Sequence, residues 1–443
     1  MVLKLKEKLV TICQEFTDLK FVFHLQKWQT DFLRFYQSQT NYNISKSAFD
    51  LNVTIHKGKR SYKFSLNNPT EELLREKISE IEGFIDKLPE DPYFVDIETN
   101  LDKSDEKEKT DNRQIVDLEK KISILKHLTK AVETFNYKIY GTFICNYNDL
   151  YIINSNGVDK HEMNSPIALE VKAVNQDTEV TVLQTFGGED FSHFDLADFT
   201  DGLVNKVRAG NNEIIDLEPG IYPVILAPRC IAEYFMYLMS SVSAQSLDSK
   251  NSFFEGKLDQ KVFPESITLT DEPHHPQMIQ FDYTHSGYPY EKLTIIDKGV
   301  FKNFIVTNYY AHKLKMKETG SEASALTLQP GDTDLSEMIS LIDKGIYISS
   351  LHYMNFINVK ETSLTGLTRD GTFLIENGKI TKVINNLRFT EKISRIIENI
   401  TQIGNDPVTI PFSQNYGYFG IDSYRMPHVK VDKFNITSST GTI

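Results

Sequence analysis

Cysteine is scarce in this 443-residue chain: Cys13, Cys145 and Cys230 are the only three, and they lie far apart. An odd, dispersed set excludes a disulfide framework and a zinc ribbon, and it suits a reducing compartment. Long apolar runs are missing too. The greasiest stretch, residues 221–243, is broken by Pro223, Pro228, Arg229 and Glu233, so a bilayer span is not expected. The chain opens on Leu3-Lys4-Leu5-Lys6-Glu7-Lys8-Leu9, with no apolar core of a signal peptide behind it. These features predict a cytoplasmic protein with no membrane partner. Basic residues are outnumbered, 48 Lys and Arg against 61 Asp and Glu, for a net charge of −13. Phosphate binding needs a concentrated basic surface, so nucleic acid is not expected as a partner. Trp occurs once, against 21 Tyr and 28 Phe, which reads as compositional bias. The chain also lacks a P-loop, a dinucleotide fingerprint, GxSxG, CxxC, HExxH and HExxxH.

What is present is ordinary globular material: 40% hydrophobic and 25% charged residues, enough chain for a large core and about two or three domains. A helix is predicted over residues 2–17, where Leu5, Leu9, Ile12 and Phe16 share a face. Short strands follow at 21–25, 34–36, 41–45 and 51–56, then a turn at Lys57-Gly58-Lys59 and a strand over 61–65. Asn68 or Thr70 caps a helix that runs to about Lys87. Residues 101–113 are a mixed-charge run and read as a solvated loop. A helix is expected over 118–133, strands over 137–144, 149–154, 167–174 and 179–185, and a helix over 194–211. Beyond that come a buried strand at 221–226, a helix at 231–243, and many short strands punctuated by Gly287, Gly299, Gly345, Gly366, Gly371, Gly378 and Gly417. The fold class is therefore α+β, with an α/β N-terminal domain over 1–214 and a β-rich C-terminal domain over 215–443.

Candidate chemistry is thin. Cys13 sits on an apolar helical face and reads as core. Cys230 precedes a helix beside Arg229, a setting that can lower a thiol pKa, but its neighbours are apolar and favour a buried structural role. Asp271, His274, His275 and His285, with Asp282 nearby, form the best metal-ligand set that composition offers. A turn at Pro273 and Pro276 would be needed to bring His274 and His275 to one ion, since adjacent residues on a strand face opposite ways.

The second half resembles the TldD/PmbA family, in particular its TldE (PmbA) branch. The resemblance is carried in order by residues 251–258 (NSFFEGKL), 267–273 (ITLTDEP), Phe281-Asp282, Ile296-Asp297-Lys298-Gly299-Val300, Ala311, Thr319-Gly320, residues 344–347 (KGIY), residues 373–379 (FLIENGK) and Ile403-Gly404-Asn405-Asp406. Upstream, Asn154-Ser155-Asn156-Gly157 resembles the family's Asn-Ser-x-Gly turn. The resemblance implies a TldD/PmbA-like fold and a link to cytoplasmic zinc metallopeptidases that act on short or unfolded peptides, once labelled modulators of DNA gyrase. It also implies that a TldD-type member holds zinc through an HExxxH helix and a cysteine near the C-terminus, and pairs with a TldE-type member. Here the helix region reads Arg229-Cys230-Ile231-Ala232-Glu233-Tyr234-Phe235-Met236-Tyr237, with no histidine, and residues 411–427 contain no cysteine. Arg229, Cys230, Glu233 and Tyr237 thus mark a degenerate motif. The resemblance implies a non-catalytic subunit with no catalytic or metal residues of its own. It would be homodimeric in isolation and paired in the cell with a TldD-like subunit that carries zinc and peptide. A metallopeptidase using Asp271, His274, His275 and His285, and a peptide-binding module without hydrolysis, are the alternatives.

Overall fold

The computed structural model describes residues 2–99, 116–412 and 422–439. The mixed-charge run at 101–113, Gly417 and most of the segment expected to carry the family cysteine lie outside them. The first half runs α1 (Val2–Glu15), β1 (Lys20–Tyr36), β2 (Gln39–Lys57), β3 (Arg60–Asn67), α2 (Glu71–Glu82), α3 (Leu118–Glu133), β4 (Tyr137–Asn154), β5 (Asp159–Asn164), β6 (Ile167–Asn175), β7 (Thr181–Gly188) and α4 (Leu196–Gly210). Its strands form one antiparallel sheet in the order β3-β2-β1-β4-β6-β7, with β5 also paired to β4. One core packs Leu5, Leu9 and Ile12 of α1 and Leu74, Ile78 and Ile81 of α2 onto Phe21, Phe23 and Leu25. Asp117 caps α3 by accepting from the Lys120 N–H, and Ile124, Leu128 and Val132 recur at helical spacing to make its buried face.

The second half runs β8 (Ile214–Ile215), β9 (Gly220–Leu226), α5 (Pro228–Met239), α6 (Ala244–Asp248), β10 (Leu269–Asp271), β11 (Leu293–Asp297), β12 (Val300–Phe301), α7 (Asn308–Leu314), β13 (Leu326–Leu328), α8 (Leu335–Ser340), β14 (Lys344–Asn358), β15 (Ser363–Glu376), β16 (Lys379–Ile384), β17 (Leu387–Lys392), α9 (Ile393–Glu398), β18 (Ile400–Ile403), β19 (Val408–Phe412), β20 (Asp422–Met426) and β21 (Val429–Ser439). Among the described residues these make a six-stranded sheet, β12-β11-β10-β13-β20-β19, and an eight-stranded one, β14-β9-β21-β17-β15-β16-β8 with β18 on β21. An added β14–β15 pairing closes the ring β14-β9-β21-β17-β15 into a barrel, which removes those edges. The architecture is α+β, with an α/β first half and a β-rich second half. No helix among the described residues is long and apolar enough to cross a membrane.

The greasy stretch at 221–243 is explained by α5. Pro228, Cys230, Ile231, Ala232, Tyr234, Phe235, Leu238 and Met239 are all buried, so the apolar face of the helix is broad and leaves one narrower side for Arg229, Glu233 and Tyr237. They pack with Leu226, Ile348, Leu364, Phe389 and Phe434. A second core joins the halves: Phe143 and Leu169 of the first sheet and Leu203 of α4 share one cluster with Ile225, Tyr347 and Phe373.

Several boundaries differ from expectation. The strands expected at 137–144 and 149–154 are one strand, β4. Polar residues at its middle find partners inside the sheet: Thr30 donates to Asn146 at 2.8 Å, and Asn148 donates to Asn164 at 2.8 Å. The pieces at 41–45 and 51–56 likewise join as β2. Thr70 caps α2, yet the helix stops at Glu82 before Gly83, and only a single 3-10 turn, Ile85–Lys87, follows. α5 begins three residues earlier than expected, because Pro228 occupies its first position, where a missing N–H costs nothing.

Candidate functional site at the central helix

Arg229, Cys230, Glu233 and Tyr237 all lie on α5. Arg229 and Glu233 are one turn apart, and the guanidinium Nε sits 3.3 Å from the Glu233 carboxylate. A second contact runs from Arg229 to Glu170 of β6 at 3.4 Å. Beside it Lys172 of β6 meets Asp370 of β15 at 3.0 Å. Alternation along β6 puts Glu170 and Lys172 on one face, toward the second half. Sequence reading missed Glu170, Lys172 and Asp370, because only the tertiary fold brings β6 to α5 and β15.

Electrostatics at this cluster are closed. Burial pushes the Glu233 carboxyl up to about 7, against the pull of Arg229. Burial, then the charge of Glu233, pushes the Cys230 thiol well above its ordinary value, and the thiol donates to the Ile348 carbonyl at 3.3 Å. It is an inert core cysteine despite its place near a helix N-terminus. Tyr237 donates to the Met354 carbonyl at 2.5 Å. Cys13 is half-buried, and burial raises its thiol pKa as well.

Zinc does not fit this donor set. Glu233 is flanked by Ala232 and, four residues on, Tyr237; its carboxylate is held by Arg229, and the Cys230 thiol is held protonated. Residues 413–421 contain no His, Cys, Asp or Glu. Among the described residues no three His, Cys, Asp or Glu side chains come together as a metal site.

The alternative ligand set is dispersed. Asp271 is fully buried at the end of β10 and accepts four hydrogen bonds: Tyr290 Oη at 2.8 Å, Ser321 Oγ at 2.6 Å, Ala323 N at 3.0 Å and Ala325 N at 2.9 Å. The turn after Pro273 then carries His274 and His275 away from it. His274 is exposed, 3.9 Å from Asp282, while His275 Nδ1 accepts from the Gln277 N–H. His285 pairs with Glu322 at 2.8 Å, which holds its imidazole pKa up, and its carbonyl meets the His24 ring at 2.5 Å. Asp271, His274, His275 and His285 therefore do not form one site.

Among known proteins, residues 219–438 match the PmbA/TldA metallopeptidase C-terminal domain. The chain is 23% identical over 349 residues to the zinc metalloprotease TldD homolog of Saccharolobus solfataricus, covering 74% of this chain and 76% of that one. It is 24% identical over 187 residues to the metalloprotease PmbA homolog of Buchnera aphidicola, spanning 42% of this chain and 41% of that relative. The crystal structure of TldE from Thermococcus kodakarensis superposes with a TM-score of 0.83 at 18% identity, covering 98% of this chain and all of that one. At that identity the likeness speaks to the fold.

Proposed function

This chain belongs to the TldD/PmbA family, matched through residues 219–438, and we propose that within it the chain is a TldE-like, non-catalytic subunit of a TldD/TldE-type metallopeptidase assembly. The assembly acts on short or unfolded peptides in the cytoplasm. In isolation the chain forms a homodimer, and in the cell it pairs with a TldD-like subunit that supplies the zinc. The observation that supports this reading is the state of α5: the one carboxylate at the motif, Glu233, is engaged by Arg229 and has no imidazole beside it. A general base for a metal-bound water needs the opposite, a free carboxylate beside a bound ion. What remains for the subunit is shape, through the barrel, the closed sheet and the faces that meet a partner.

The test is a reconstitution. This chain alone should retain no stoichiometric zinc after dialysis and should not cleave an unstructured peptide. Mixing it with its cognate HExxxH-bearing subunit should restore or raise cleavage, and a chelator should abolish it. Chelator-sensitive cleavage by this chain alone would overturn the reading. Peptide binding with no effect on any partner's activity would favour a binding module instead.

A further inference from the structure

A cavity of about 320 Å³ opens at the N-terminal end of α5, between α4, β7, β14 and β19. It is near the lower end of ligand-pocket sizes. Leu183, Phe373, Ile380 and Ile410 give it apolar walls. Its polar groups divide into two sets. Two of them satisfy each other: His428 Nδ1 donates to Asp406 at 2.7 Å, which leaves Nε2 to accept from the Tyr347 hydroxyl at 3.2 Å. One of the others is left open. Ser349 is 5% exposed, and its hydroxyl has no hydrogen-bond partner. Tyr347 and Ser349 alternate with Ile348 along β14, so both side chains face this cavity.

Lys206 of α4 supplies the charge. Its ammonium donates to the Leu183 carbonyl at 2.7 Å and to Gln184 Oε1 at 2.8 Å, which uses two of three donors. No carboxylate among the described residues lies within ion-pair distance of it. Burial, with the Arg229 charge acting in the same direction, lowers its pKa to about 8. The start of α5 points the same way. Ala227 caps it with no side-chain acceptor and Pro228 brings no N–H, so the positive end of a twelve-residue helix meets the cavity at Arg229. Arg229's own guanidinium is already paired to Glu170 and Glu233.

A lone ammonium, an uncapped helix end and an unpartnered hydroxyl, all set among apolar walls, suit an anion with a greasy body. We propose that this cavity binds the carboxylate of a small amphipathic acid, with Lys206 as counter-charge, Ser349 as donor and the apolar walls holding the attached hydrocarbon. A free N-acylated amino acid and the C-terminal residue of a peptide offer that same chemistry. The assignment does not rest on the subunit reading, because its recognising side chains, Lys206 and Ser349, lie outside the degenerate motif and it is tested on this chain alone.

The experiment is calorimetric titration of the full chain with N-acetylleucine, its amide, and an N-acetylated tetrapeptide ending in leucine. The acid should bind and the amide should bind roughly tenfold or more weakly, the worth of one charge-assisted contact. Lys206→Met should weaken the acid by roughly tenfold to a hundredfold while leaving the amide almost unchanged, and Ser349→Ala should weaken the acid by about threefold to tenfold. Binding of the tetrapeptide alongside the acid identifies a peptide C-terminus as occupant; binding of the acid alone identifies a free small molecule. Should Lys206→Met fail to fold, the acid–amide comparison on the native chain and Ser349→Ala still decide. Equal binding of acid and amide, indifference to Ser349→Ala, or no binding of either carboxylate would each overturn the assignment.

Discussion

At Glu233 two effects oppose each other. The Arg229 guanidinium favours the carboxylate, burial favours the neutral acid, and burial wins, setting the pKa at about 7 against an ordinary 4.5. Between those values the folded chain holds a proton that the unfolded chain has released. Stability therefore falls as pH rises from about 4.5 to about 7 and is level above that. Glu233→Gln keeps an oxygen for Arg229 and removes the titration. The variant should gain stability relative to the native chain on going from pH 5 to pH 8, by on the order of 1–3 kcal/mol. Denaturant melts at the two pH values check this, and a native-minus-variant difference that does not change with pH would refute it. Asp271 poses the converse case. Its four donors are buried with it, so Asp271→Ala strands them, at a cost of about 3 kcal/mol or more. A variant melting with the native chain would show that Asp271 does not hold these segments together. Legibility differed between these two residues. The Arg229–Glu233 pair is a one-turn spacing and can be read from the sequence. The partners of Asp271 lie 19 to 54 residues downstream, so its acidic and histidine-rich surroundings suggested a metal that the fold does not assemble.

At the scale of elements, turn chemistry was the most readable signal, and it coincides with the segments that carry the family resemblance. Lys298 and Gly299 join β11 to β12 with φ of 46° and 78°, and Asn377 and Gly378 join β15 to β16 with φ of 49° and 73°. Both are two-residue hairpin turns with two left-handed positions, which ask for glycine at the second. Space separates the two glycines. A Cβ on Gly299 would meet the Phe263 carbonyl oxygen at 2.1 Å, whereas on Gly378 the first obstacle is the Ser340 carbonyl oxygen at 3.0 Å. Gly378→Ala should cost about the 1–2 kcal/mol of a left-handed alanine, and Gly299→Ala distinctly more. Thermal melts of the two variants give the order, and equal costs would show that the backbone near Phe263 yields freely. The helix start near Thr70 was legible for the same local reason, capping, with Asn68 as the other candidate; the Asp117 cap of α3 was not singled out. Strand ends were not, because Asn146 and Asn148 are satisfied by side chains across the sheet. The cavity at the start of α5 was the least legible feature: Lys206 and Ser349 belong to different halves of the chain, and neither carries a motif.

For the whole molecule, association is decided by two opposing quantities. The first is an open edge. β3 pairs with β2 only over Asp50–Lys57, so among the described residues the stretch from Gln39 to Phe49 has a partner strand on the β1 side alone. That stretch exposes Tyr42 and Ile44 and carries a single charge, Lys46, so little in it deters pairing with another strand. The second is charge. Each copy carries a net −13, and bringing two together costs electrostatic work that salt screens over about 10 Å at 0.1 M. A homodimer built on apolar and backbone contacts against that repulsion should tighten as salt rises from low to physiological strength. A complex held by opposite charges would loosen over the same range. Sedimentation of the chain alone across a salt series reads this directly. The expected outcome is a dimer whose dissociation constant falls with added salt and rises when Ile44→Lys places a second charge on the open edge. A chain that stays monomeric at every salt concentration would count against the subunit reading. A dimer that salt weakens would place the contact on charged surface away from β2.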